Sequence, residues 1–121
     1  MLQAFYMNFA SAIVVNGLML LLGLISVTMP PKKPNMWYGY RTEKSMATLD
    51  NWKLANHIFA RTSLLGSVCS IFIMIALYII ANFTNLSLSY AEHISCFIAL
   101  IIPIVSILRT EHRLKKGVSK K

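Results

Sequence analysis

Apolar side chains fill three long stretches of the chain, and polar side chains gather between and after them. The first stretch runs from about Ala10 to Met29 and stops at Pro30, Pro31, Lys32 and Lys33, where tandem prolines cannot continue a helical hydrogen-bond ladder. The second runs from Thr62 to Phe83, between Arg61 and the polar pair Thr84 and Asn85. The third is clean only from Ile94 to Leu108 and has to borrow Leu88, Tyr90 and Ala91 to reach a spanning length, with Pro103 as a kink point. A helix needs about 20 largely apolar residues to cross a hydrocarbon core of about 30 Å. The pattern therefore predicts an all-α integral membrane protein, a single membrane domain with transmembrane helices over about 10–29, 62–83 and 88–108. A loop over 30–61 joins the first two, and a tail over 109–121 follows the third.

Inside the spans the small and polar residues recur at helical spacing. Ala12, Asn16, Met19, Gly23 and Ser26 form one stripe, and Ser63, Gly66, Ser67 and Ser70 form another. Such stripes predict close helix contacts in lipid, because small residues let backbones approach and hydroxyls bond across the gap. Asn16 stands apart as an intramembrane polar site, since a carboxamide near mid-membrane is costly without a partner. Cys69 and Cys96 fall at different depths, so they are read as buried free thiols rather than a disulfide.

Charge changes the picture by fixing sides. The 121 residues are 56% hydrophobic and 13% charged, with mean hydropathy +0.59 and formal charge +8. Residues 1–31 and 62–91 carry no charge, while six Lys or Arg lie in 32–61 and six more in 109–121. The turn over 84–93 carries no Lys or Arg, and Glu92 is its one charged residue. Basic residues in short loops mark the cytoplasmic side, so the N-terminus is expected outside and the C-terminus inside a cell membrane. A cleaved signal peptide fits the first stretch poorly, because MLQAFYMNF lacks a basic leader and no small-x-small site precedes Pro30. A pI near 9.8 invites a nucleic-acid reading. Topology and attraction to anionic lipid headgroups explain the same charges, and no nucleic-acid module is recognisable.

The 30–61 loop holds the most specific residues. Three prolines restrict its first half, Gly39 permits positive φ, and Trp37, Tyr38 and Tyr40 add aromatic mass at headgroup level. Its second half predicts a helix from about Met46 to Arg61, N-capped by Ser45, either lying at the interface or extending the second span. Leu49, Trp52, Asn56 and Phe59 share one face of that helix, and Asp50, Lys53, His57 and Arg61 another. Asn56 needs a partner there. Arg41, a fixed fork of donors beside aromatic rings, could take a phosphate headgroup, clamp a partner's carboxylate, or pair with Glu43 or Asp50.

Asn35, then Tyr38-Gly39-Tyr40-Arg41-Thr42, Ser45, Trp52, Ala55 and Asn56, followed by Gly66 in the next span, resembles the signature of the SdpI family of small bacterial membrane proteins. The resemblance covers about residues 30–70 and leaves the third span unmatched. It implies a toxin-immunity or signalling role, as in the founding member, which protects against a secreted killing peptide and holds a transcriptional repressor at the membrane. The shared site it implies comprises Asn35, Tyr38, Gly39, Tyr40, Arg41, Thr42, Ser45, Trp52 and Asn56, with no role assigned to each.

Catalysis has little support. Ser45 has no evident base, His57, His93 and His112 are scattered, and Glu43, Asp50, Glu92 and Glu111 form no pair or metal set. No enzyme activity, metal or other cofactor is expected. The expectation is a binding or signalling protein acting through loop 35–56, with a cytoplasmic protein or a hydrophobic peptide toxin as partner. A small transporter or lipid-handling subunit is the alternative, motivated by Asn16, the serines and Pro103, and it would require a homo-oligomer.

Overall fold

In the computed structural model, which describes residue 3 and residues 9–118, the described residues form helices and connecting turns without a strand. The elements are α1 (Ala10–Thr28), α2 (Glu43–Met46), α3 (Leu49–Phe83) and α4 (Leu88–Val118). Three of them, α1, α3 and α4, are long and apolar enough to cross a membrane. At 1.5 Å per residue α1 is about 28 Å long, enough for the hydrocarbon core and no more. With 35 and 31 residues, α3 and α4 reach about 52 and 46 Å, so each projects well beyond it. The surplus lies at one end, where residues 49–61 of α3 and 109–118 of α4 form a helical stub carrying six of the twelve Lys and Arg. This is the basic end of the molecule.

Only 17–22% of the residues in each apolar window are buried. Leu18, Leu21, Leu65, Phe72, Phe97 and Leu108 point outward. A water-soluble bundle would bury that surface, whereas in a bilayer the lipid tails cover it. Cys69 belongs to the exposed set, which corrects its expected burial; Cys96 is half-buried, and both are free thiols.

The interior follows the stripes of small residues. A Cβ on Gly23 would stand 2.9 Å from the Leu64 backbone, and one on Gly66 would stand 2.8 Å from the Ile102 side chain. These two glycines set the approach of α1 and of α4 to α3. Asn16 sits at the meeting point of all three helices. Its Nδ2 donates to Ala12 O at 2.8 Å and lies 3.3 Å from Ser95 Oγ and 3.7 Å from Met74 Sδ. Its Oδ1 accepts from Ser70 Oγ at 2.6 Å. The carboxamide is thus fully partnered within the bundle, and Ser63 and Ser106 add a second α3–α4 bridge at 3.1 Å.

Two local expectations are corrected. Ser45 does not cap the loop helix. Thr42 and Ser45 form a reciprocal capping box around α2, and Thr48 caps α3 by accepting from Asn51 N. From Leu49 onward the loop helix and the second span are one uninterrupted helix, which is the extending form of the two anticipated. Beyond Leu108 the basic segment is also helix rather than a separate tail, to Val118.

Candidate functional site

The site is assembled at the basic end, where α1 has stopped and α3 and α4 continue. After Pro30 and Pro31 the chain crosses toward the stub, and Asn35 shapes the crossing. Its Oδ1 accepts from Trp37 N at 2.9 Å and Tyr38 N at 3.0 Å, and its Nδ2 donates to Lys33 O. That Asx turn exposes Met36, Trp37 and Tyr38 at 77, 89 and 50% of their surface. Arg41 closes the turn from its other side, its Nη1 donating to Met36 O. The contact fixes the guanidinium beside the tip while leaving the residue exposed.

Gly39 then takes φ +108°, a conformation that side chains with a Cβ avoid. Space excludes a larger residue as well, since a Cβ there would lie 2.8 Å from both Asn56 Oδ1 and Pro31 Cγ. The close approach lets Tyr40 N donate to Asn56 Oδ1 at 2.7 Å, while Asn56 Nδ2 donates to Trp52 O. One turn back along α3, Trp52 is fully buried and its Nε1 donates to Pro31 O at 2.9 Å. Trp52 and Asn56 thereby bond both strands of the loop to one face of α3. Losing the indole would cost about 3–5 kcal/mol, and leaving the buried Tyr40 N–H without a partner about 1–3 kcal/mol.

The loop is held to α4 through Glu111. Tyr40 is buried, packs on Phe59 at 5.1 Å between ring centroids, and donates its hydroxyl to Glu111 Oε1 at 2.8 Å. Thr42 Oγ1 donates to the same oxygen at 2.9 Å, and Lys44 Nζ stands 3.5 Å from the other. Burial alone would raise the Glu111 pKa; the hydrogen bonds from Tyr40 and Thr42, with the Lys44 charge, outweigh it and hold the carboxyl below its ordinary value. Tyr40 shifts the opposite way, raised by burial and by the adjacent carboxylate, and stays a protonated donor. Ser45 Oγ accepts from Thr42 N at 2.8 Å and reaches Tyr40 O at 3.0 Å, which fixes the backbone between the two contacts.

The structure therefore gathers Gly39, Tyr40, Thr42, Ser45, Trp52 and Asn56 into one clamp, in which Tyr40, Ser45, Trp52 and Asn56 are buried, Thr42 is half-buried and Gly39 reaches the surface, and places half-buried Asn35 with exposed Tyr38 and Arg41 at the tip. Asn16 belongs to the membrane seam and is no part of this cluster. Phe59 falls on the face it was expected to share with Trp52 and Asn56, whereas Glu111 and the Pro31 carbonyl are components that the loop sequence does not disclose. A signal for Glu111 existed on α4, where the buried residues Ala91, Ser95, Ala99, Ser106, Thr110 and Leu114 recur at intervals of four and seven. That stripe runs past Leu108 and carries the packing face up to Glu111. Among the described residues no cluster of His, Cys, Asp or Glu could hold a metal ion.

Comparison with known proteins matches residues 32–108 to the SdpI/YfhL protein family, more than half of the chain. The chain belongs to that family. The matched region starts just before the exposed tip and runs through α3 to Leu108, so it extends the resemblance across the third apolar span and stops before the basic end of α4. Within the SdpI/YfhL family the chain is similar to the uncharacterized protein YfhL of Bacillus subtilis (strain 168), with 29% identity over 105 residues, 87% of this chain and 86% of that protein. No solved structure matches.

Proposed function

We propose that the protein is a membrane-embedded binding protein of the signalling or toxin-immunity kind, working through the tip of its basic-end loop. One observation carries the reading: the signature residues divide into a largely buried clamp and a small exposed surface. Six of them lock the loop onto α3 and α4. The result is a fixed presentation of Met36, Trp37, Tyr38 and the Arg41 guanidinium. Trp, Tyr and Arg are the residue types that dominate binding energy at protein interfaces, and a surface ordered before binding loses little entropy on contact. By the lysine and arginine bias the tip faces the cytoplasm, the side from which a soluble regulator would approach. Family membership supports the general class, and the partner is a protein surface with an apolar groove flanked by carboxylate.

Photocrosslinking from position 36 in cells tests this, alongside Trp37→Ala and Arg41→Ala chains at matched expression. The expected result is a discrete protein adduct that both substitutions weaken about tenfold or more, while thermal stability in detergent stays within about 0.5 kcal/mol, as for surface changes. Adducts to lipid alone, or an adduct indifferent to both substitutions, would remove the reading. An impermeant thiol reagent should fail to label a cysteine at position 37 in intact cells; ready labelling would reverse the assigned side.

A further inference from the structure

The two faces of the stub differ in how their charges are met. At 100° per residue, Arg109, Arg113 and Lys116 fall within about 60° of one another on α4, whereas Glu111 projects about 200° away from Arg109. Glu111 is committed to the loop through Tyr40, Thr42 and Lys44. The acid of this segment is therefore on one face, and the cations on the other pair with no carboxylate among the described residues. On α3, Trp52 and Asn56 face the loop, while His57 and Arg61, one turn apart, lie on the other face, which they share with Lys53 and, at the end farthest from the span, Asp50.

Arg61, Arg109, Arg113 and Lys116 converge on a cleft of about 950 Å³ between α3 and α4, with His57 also in its wall. Its depth is ordered by chemistry. The Ser63–Ser106 bridge fixes the antiparallel register, which places Arg61 level with Arg109 and His57 level with Arg113, one turn further from the span. Below the arginines the wall is apolar, made by Val27, Leu64 and Leu65. The cleft stays open because α1 ends at Thr28 while its neighbours continue. Uncompensated cations focused in a low-dielectric cleft attract an anion, and an apolar wall directly beneath them fits an acyl chain. Free phosphate would satisfy the first feature and leave the second uncovered.

We infer that this cleft binds the headgroup of an anionic phospholipid from the adjoining leaflet, with its phosphate between Arg61 and Arg109 and its acyl chain against Leu64 and Leu65. Arg113 and Lys116 add charge at the mouth, where a second anionic group of the headgroup would lie. The site is separate from the loop tip and does not depend on any partner of the tip. Charge complementarity selects the occupant, and the graded wall distinguishes a lipid from a soluble anion.

The test uses the full-length chain in neutral detergent, titrated separately with dioleoyl phosphatidylglycerol, dioleoyl phosphatidylcholine and inorganic phosphate, and read by native mass spectrometry and thermal unfolding. Wild type should retain phosphatidylglycerol and gain thermal stability from it, and should respond little to the other two. Arg61→Gln/Arg109→Gln should bind phosphatidylglycerol roughly 25-fold more weakly, about fivefold for each cation removed. Lys32→Gln/Lys33→Gln, with the same loss of charge outside the cleft, should bind as wild type does. Helical content and elution volume verify that each variant is folded, and Arg109→Lys, which keeps the charge, should bind nearly as wild type. Equal response to phosphatidylcholine, equal stabilisation by inorganic phosphate, or equal weakening in the Lys32/Lys33 variant would each overturn the assignment.

Discussion

Glu111 concentrates the chemistry of the loop in one carboxylate. Two hydroxyls and an ammonium converge on it, and its removal would free Tyr40, Thr42 and Lys44 together. Because its pKa is lowered in the folded state, its contribution is complete above the ordinary glutamate value of roughly 4.3 and is lost as pH falls through the lower folded value. Acidification below about pH 4 should therefore release the loop from α4 while α3 keeps its half of the clamp. Limited proteolysis between residues 36 and 44 across a pH series, using an acid-active protease, measures that release. Wild type should become cleavable in acid, and Glu111→Gln should be cleavable to a similar extent at every pH. At the same scale, Gly39 meets two independent restrictions, its φ of +108° and the nearness of Asn56 and Pro31, so no side chain fits that position without moving the loop.

Helices are held together here by shape more than by polar bonds. Asn16 makes contacts to both α3 and α4, yet interhelical hydrogen bonds in membranes average about 0.6 kcal/mol each, because the separated helices also find partners. Gly23 makes no polar contact, but a β-branched side chain there would run into the Leu64 backbone, which cannot swing aside. Overpacking of that kind costs about 1–3 kcal/mol. Gly23→Val should therefore destabilise the bundle more than Asn16→Ala, as measured by steric-trap or denaturant unfolding in bicelles. The reverse order would mean that the Asn16 node, and not the glycine contact, sets how α1 sits. At the opposite end the contact is polar instead: Glu92 Oε1 accepts from Ser11 N and Oγ in the first turn of α1 and offsets the positive end of that helix.

For the molecule as a whole, the sequence discloses the parts governed by periodicity and hides those governed by distance along the chain. The three apolar stretches, the small-residue stripes and the face shared by Trp52 and Asn56 are local patterns, and each corresponds to an observed helix or packing surface. Glu111 is legible only once α4 is known to run past Leu108 and to return alongside α3, about 70 residues after the loop it holds. The role of Ser45 is hidden for a related reason: a serine before an apolar run satisfies the N-cap rule, but Thr48 lies closer to the start of α3, and the Ser45 hydroxyl is taken by Thr42 and Tyr40. The same geometry accounts for charge. Loop docking engages Glu111 on one face of the stub, and Arg109 and Arg113 line the cleft on the opposite face. The loop residues from Asn35 to Asn56 build a fixed platform rather than a flexible connection. Amide hydrogen exchange of the lipid-embedded protein reads this out at Tyr40 N, which is buried against Asn56. The platform predicts protection at Tyr40 comparable to that of residues 52–60 in α3, abolished by Trp52→Ala while the spans stay protected. Exchange at Tyr40 in the wild-type protein as fast as in an unstructured peptide would contradict it.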